Sequence, residues 1–163
     1  MNIRLCDPTV AALLASVAFG ANAVRAADYT MIVLERTVER PVATVWEKVG
    51  PFCAIQDWMK ISCAYTSGSG GFGTVRHLAG RTDEVMVGKS ATSYTYTVPT
   101  GKDLYHGTLE AVADGPQRTK LVYSIIYDQE PLGTAEAKAT GRERRTKTFT
   151  AALENMKVLS EGK

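Results

Sequence analysis

VATVWEKVGPFCAIQDW, residues 42–58, reads as two short helices separated by a break. Pro41 stands at a helix start, where its missing N–H costs nothing. Val42, Val45, Trp46 and Val49 then recur at helical spacing and put one apolar face on the segment. Gly50-Pro51 ends that helix, and a second short one runs from Phe52 to Trp58. Upstream, YTMIVLERTVE (Tyr29 to Glu39) is rich in β-branched residues and reads as a strand. Downstream the period changes to two, in six segments: Ile61–Thr66, Thr74–Ala79, Thr82–Val87, Ser93–Val98, Tyr105–Val112 and Thr119–Tyr127. SGSGGFG, AGR, GKSATS, PTGKD and ADGPQ supply the turns between them. A last helix is expected from about Ala135 to Ser160, with Phe149, Leu153, Met156 and Leu159 along one stripe.

The order is therefore strand, two short helices, six strands and one long helix. Strands joined by short turns pair antiparallel, and a helix with one apolar stripe buries it on a sheet. The expected class is α+β: a curved antiparallel sheet of about seven strands wrapped around the long C-terminal helix. Where the two layers separate at one end, a cavity opens.

Composition narrows the function. The chain has 163 residues, 45% of them apolar, enough for one domain with a real core. Lys plus Arg (19) nearly balances Asp plus Glu (17), so no strong field favours nucleic acid or anionic membrane. Aromatic content of 8% argues against disorder, and the 14 glycines follow no collagen-like period.

The N-terminus carries its own signal. Arg4 precedes the apolar run VAALLASVAFG (Val10 to Gly20), and Val24-Arg25-Ala26 offers small residues for a cut before Ala27, with Ala21-Asn22-Ala23 as a second site. Residues 1–26 are thus expected to be a secretory signal peptide, too short in its apolar part to anchor in a membrane. The domain would be residues 27–163, in the periplasm, and losing Arg4, Asp7 and Arg25 would lower the formal charge from +2 to +1. Cys6 leaves with that segment. Cys53 and Cys63 remain, as a disulfide suited to an oxidising compartment or as two separate buried thiols. No metal and no cofactor is expected, since no C-x-x-C or closely spaced histidine pair accompanies them.

The Val42–Trp58 run resembles the start of the START-like (SRPBCC) superfamily, in its polyketide cyclase/dehydrase and lipid-transport branch. The resemblance continues through Gly73-Thr74-Val75-Arg76, Glu84, Ser93-Tyr94-Thr95-Tyr96 and the closing stretch Ala152 to Leu159, and covers essentially residues 30–160. It implies a helix-grip fold around a hydrophobic cavity. Members bind sterols, hormones, lipids or polyketides, and a minority catalyse cyclisation or dehydration. FCAIQDW with a following cysteine is most similar to small periplasmic proteins associated with quinoprotein methanol dehydrogenases, which implies a periplasmic dehydrogenase or cytochrome as partner. Met59-Lys60 stands where that group has a His-Pro pair.

Strand parity picks the candidate site. Tyr94 and Tyr96 share one face, Tyr105 leads the next strand, and Tyr123 and Tyr127 share a face of the last. On concave faces these phenols would orient a small apolar ligand, or else simply fill the core. Arg76 shares the parity of Leu78, and the resemblance places Glu84 toward the cavity. The two would form a pocket charge pair or an ordinary rim ion pair. Phe149 and Leu153 would line the cavity from the long helix, and Trp58 would stand at its mouth. Gly68-x-Gly70-x-x-Gly73 matches a dinucleotide fingerprint letter for letter, but a strand pattern follows where a helix is required, so it reads as a hairpin turn. His77 and His106 fall on the opposite faces from Arg76 and Tyr105. Arg142 to Arg145 reads as the solvated start of the long helix or a docking surface for an acidic partner. The leading expectation is a non-enzymatic module binding a small hydrophobic ligand. The alternatives are an accessory protein of a periplasmic dehydrogenase, and a cyclase or dehydratase using Glu84 or a tyrosine as acid/base.

Overall fold

The computed structural model describes residues 27–162; the expected signal peptide, residues 1–26, lies outside the described residues. Seven antiparallel strands, β1 (Tyr29–Val38), β2 (Cys63–Ser67), β3 (Val75–Leu78), β4 (Thr82–Lys89), β5 (Ser93–Thr97), β6 (His106–Ala113) and β7 (Thr119–Asp128), form one sheet in the order β1-β7-β6-β5-β4-β3-β2. Between β1 and β2 lie α1 (Val42–Val49) and α2 (Ile55–Met59), and α3 (Ala135–Glu161) closes the chain. This is the expected helix-grip arrangement.

Alternation drives the sheet. On β7, Thr119, Leu121, Tyr123, Ile125 and Tyr127 are all buried, and the residues between them are not. β5 repeats the pattern with Tyr94 and Tyr96 inward, and β3 with Arg76 and Leu78 inward. Register shifts at Met86/Gly88 and Tyr65/Ser67 insert bulges into β4 and β2. Bulges add bend and twist to a strand, so they help curl this half of the sheet away from a flat layer.

α3 is gripped unevenly. The Thr134 side chain caps its first turn by accepting from the Ala137 N–H at 3.1 Å, and Gly162 ends it in the left-handed region at φ 74°. In its C-terminal half Ala152, Leu153 and Met156 are buried; the charged N-terminal half buries Gly141 alone. Phe149 and Leu159 are only partly buried, in Phe149's case because it faces the cavity. The Arg142–Arg145 run is more than a solvated start. Arg142 donates to Thr30 Oγ1 (2.7 Å) and the Met31 carbonyl, while Arg145 lies 4.0 Å over the Tyr127 ring and pairs with Asp103 at 2.7 Å.

Strand ends shift slightly from the expected ones, the start of α2 shifts most, and an unexpected turn follows β7. α2 starts at Ile55 because Pro51 to Ala54 is taken up by a turn, with the Ala54 N–H donating to the Pro51 carbonyl at 2.8 Å. A single 3₁₀ turn, Glu130–Leu132 with Pro131 inside it, joins β7 to α3.

Cys53 and Cys63 are joined by a disulfide, with Cα atoms 5.5 Å apart. The bond ties the turn before α2 to the first residue of β2. In the chain-entropy description, closing a loop of this length contributes about 3 kcal/mol. The double variant Cys53→Ala/Cys63→Ala is therefore expected to lose about that much in urea denaturation against the oxidised wild type. A change below about 0.5 kcal/mol would show that the loop is held by packing alone.

Candidate functional site

A cavity of about 410 Å³ opens between the concave face of β3 to β5, the α2 segment and Phe149 of α3. Its wall is mainly apolar: Ile55, Met59, Ile61, Leu78, Val98 and Phe149. Glu84, Tyr96 and Tyr105 supply polar groups, and Arg81, Thr82 and Asp103 complete the polar part of the lining. Of the residues singled out by sequence, Leu78, Glu84, Tyr96, Tyr105 and Phe149 reach the cavity. Trp58, Arg76, Tyr94, Tyr123 and Leu153 do not; all five are buried among the core side chains behind it. Trp58 is core rather than mouth. Its ring meets Tyr123 edge-on at 6.4 Å, and its carbonyl accepts from Asn155 Nδ2 at 2.9 Å.

Arg76 organises the layer behind the cavity. Its guanidinium has no solvent exposure, a costly placement unless charge and hydrogen bonds compensate. Arg76 Nε donates to Glu84 Oε2 at 2.8 Å, Nη2 lies 2.6 Å from the same oxygen, and Nη1 donates to the Phe52 carbonyl. The guanidinium carbon also sits 3.9 Å from the centre of the Phe52 ring and 5.0 Å from that of Tyr96. Burial alone would lower its pKa; the oxygens of Tyr94, Glu84, Tyr96 and Tyr123 outweigh that and leave it above its usual value. Register makes the pair possible, because Arg76 and Glu84 stand directly opposite each other on β3 and β4. Burial pushes the Glu84 carboxyl above the usual carboxylate range, and the Arg76 charge and hydrogen bond pull part of that shift back.

Beside the ion pair three phenols form a line. Tyr96 Oη lies 2.8 Å from Tyr123 Oη and 3.3 Å from Tyr105 Oη. Burial raises the pKa of all three, so they remain neutral hydrogen-bonding groups. Tyr105 is delivered by the loop after β5. Leu104 turns through the left-handed region at φ 45°, and the Tyr105 carbonyl then accepts from Thr97 Oγ1 and the Val98 N–H.

Gly107 is a positioning residue that the sequence reading missed. It pairs with Tyr96 across β5 and β6, and a Cβ there would lie 2.5 Å from Tyr96 Cζ and Oη. The phenol lies across a strand where only hydrogen fits. An isolated glycine inside a strand pattern is the signal that marks such close approach. Ile55, Met59 and Ile61 were missed as well; all three lie in the segment bracketed by Cys53 and Cys63.

The remaining motifs lie elsewhere. His77 faces outward and bonds Asp83 at 2.6 Å, and His106 bonds the Leu104 carbonyl at 2.8 Å. Gly68, Gly70 and Gly73 take φ of 75°, 96° and 78° in the β2–β3 hairpin, with no helix following. Among the described residues no group of His, Cys, Asp or Glu is arranged to hold a metal ion.

A family model described as polyketide cyclase / dehydrase and lipid transport matches residues 30–161. No curated protein matches the sequence. Similar solved structures include a Nitrosospira multiformis protein (20% identity, TM-score 0.65, 79% of this chain and 94% of that one). Another is the protein XoxI from Bacillus cereus (18% identity, TM-score 0.62, 80% and 93%). The di-domain ARO/CYC BexL is matched over half its length (16% identity, TM-score 0.64, 82% of this chain). At these identities the likeness is one of fold.

Proposed function

Because the chain belongs to the polyketide cyclase / dehydrase and lipid transport family, we propose that it is a binding domain for a small, largely apolar molecule held between the sheet and α3. The observation that carries this reading is the cavity of about 410 Å³, apolar on most of its wall and polar where Glu84, Tyr96 and Tyr105 converge. Ligand pockets have this size and this division of labour: apolar walls supply affinity, and a few fixed polar groups set orientation. Binding rather than turnover is favoured by the state of Glu84. Arg76 Nε and Nη2 both hold its Oε2, an arrangement that suits a fixed acceptor better than a proton-cycling acid.

The domain is read as exported to the periplasm. The apolar N-terminal run and small-residue exit support this, and so does the Cys53–Cys63 disulfide, a bond that persists in oxidising compartments. A second reading, an accessory protein docking on a periplasmic dehydrogenase or cytochrome, is favoured by one surface. Tyr29, Met31 and Val33 of β1 and Ile126 of β7 are exposed on the outer face of the sheet, and Met31 and Ile126 are register partners.

Fluorescence titration with anilinonaphthalenesulfonate tests the main reading. Wild type is expected to bind one dye saturably. Val98→Trp and Ile61→Trp, which put an indole into the cavity from two sides, are each expected to weaken binding about tenfold or more. Undiminished binding by both folded variants would place the dye elsewhere and overturn the reading.

A further inference from the structure

The three phenols beside Glu84 hold three protons between them and make two hydrogen bonds, so one proton is left over. A phenol donates one bond and accepts others. Tyr123 is fully buried, and its hydroxyl has Tyr96 as its one partner among the described residues. If Tyr105 donated to Tyr96 and Tyr96 to Tyr123, the surplus proton would sit on Tyr123 with nothing to receive it, at a cost of about 1–3 kcal/mol. Tyr123 is therefore the donor to Tyr96. Tyr96 then either passes its own proton to Tyr105 or accepts from Tyr105 as well. In the first case the surplus proton is on Tyr105, and in the second on Tyr96. Both residues line the cavity, so either arrangement presents one donor to whatever occupies it.

Glu84 presents the complement. Both contacts from Arg76 use Oε2, and Oε1 takes part in none among the described residues. An ionised carboxylate only accepts. Glu84 lines the same cavity, close enough for its charge to act on the Tyr96 and Tyr105 phenols, yet it accepts no hydrogen bond from either. The polar end of the cavity thus holds one free donor and one free acceptor as neighbours.

A hydroxyl satisfies both through a single oxygen atom. A ketone or ether would meet the phenol and leave Glu84 Oε1 facing another acceptor. An ammonium would meet Glu84 and leave the phenol proton unused. A carboxylate would meet like charge. We infer that the ligand is an apolar alcohol or phenol whose hydroxyl accepts from Tyr105 or Tyr96 and donates to Glu84 Oε1. This rests on the reading of the cavity as a binding site and names the functional group that site selects.

The test is a titration of the intact chain with three probes of one shape: β-naphthol, its methyl ether and naphthalene. β-Naphthol is expected to bind roughly tenfold or more tightly than the ether, because the ether keeps the acceptor and loses the donor to Glu84. Glu84→Gln is expected to erase most of that preference while leaving naphthalene affinity within about twofold. Glu84→Gln leaves Arg76 uncompensated and could unfold the chain. The double variant Tyr96→Phe/Tyr105→Phe, which removes both candidate donors, provides the independent check, with an expected loss of roughly fivefold or more for both oxygen-bearing probes and none for naphthalene. Equal affinity for β-naphthol and its ether would overturn the inference and leave the binding reading intact. No binding of any of the three would overturn the binding reading, and the inference with it.

Discussion

Raising the pH from 10 to 11 is expected to unfold this domain, and four buried phenols are the cause. Burial holds the pKa of Tyr94, Tyr96, Tyr105 and Tyr123 above the ordinary value of 10.0. A phenol whose folded-state pKa exceeds its unfolded value contributes stability that is complete below pH 10 and is lost as pH rises through the folded value. Each tyrosine that stays neutral in the fold gives the unfolded chain an advantage of up to about 1.4 kcal/mol at pH 11. Four together amount to at most about 6 kcal/mol, comparable with the whole stability of an ordinary domain. Phenolate absorbance and circular dichroism, recorded together along an alkaline titration, check this. Tyr94, Tyr96, Tyr105 and Tyr123 should ionise in one cooperative step that coincides with loss of the sheet signal. Gradual ionisation of all four in a protein that stays folded would contradict it.

Arg76→Met should be the most damaging single substitution near the cavity, at about 3–5 kcal/mol. The methionine fills much of the arginine's volume, so the cost is electrostatic. It leaves the Glu84 carboxylate without its partner and the buried Phe52 carbonyl without its donor. Arg76→Met/Glu84→Gln should recover a good part of the loss, because the unpaired charge is gone. Urea denaturation of the wild type, both single variants and the double variant closes the cycle, and strict additivity would show that Arg76 acts through shape alone. A pH readout sharpens it. Burial raises the Glu84 carboxyl, and Arg76 supplies the main opposing pull. Without Arg76 the folded-state pKa rises further above 4.5, so this group's stability is present below 4.5 and lost as pH climbs through the raised value. The Arg76→Met variant should therefore regain stability on mild acidification from neutral pH.

Much of this architecture is written locally. Val42–Trp58 announces its two helices by spacing and by Gly50-Pro51, and strict alternation assigns Arg76, Leu78, Tyr94, Tyr96 and Tyr123 to the inner face before any contact is known. Depth is not written locally. Arg76 and Leu78 have the same parity, as do Tyr94 and Tyr96, yet only the second of each pair reaches the cavity. The difference lies in what covers them. Phe52, from the turn before α2, packs 5.3 Å from Tyr94, and Trp46 of α1 packs 5.8 Å from it, sealing that end of the concave face. Such a cover is set by how α1 and α2 fold back over the sheet, and parity along one strand carries no trace of it. The same holds for Ile55, Met59 and Ile61. The break at Gly50-Pro51 shows that the helix around Ile55 is short, but the disulfide and the left-handed turn at Lys60 decide that the segment walls a cavity.

The central claim is that ligand enters between the sheet and α3 and nowhere else. Methyl-detected NMR during a titration with β-naphthol tests it most directly. The Ile55, Ile61, Leu78 and Val98 methyls, all on the cavity wall, should shift together and saturate, while those of Val33, Val112 and Ile126 on the outer face stay fixed. Shifts confined to the outer face, with the cavity methyls unmoved at saturation, would contradict the account.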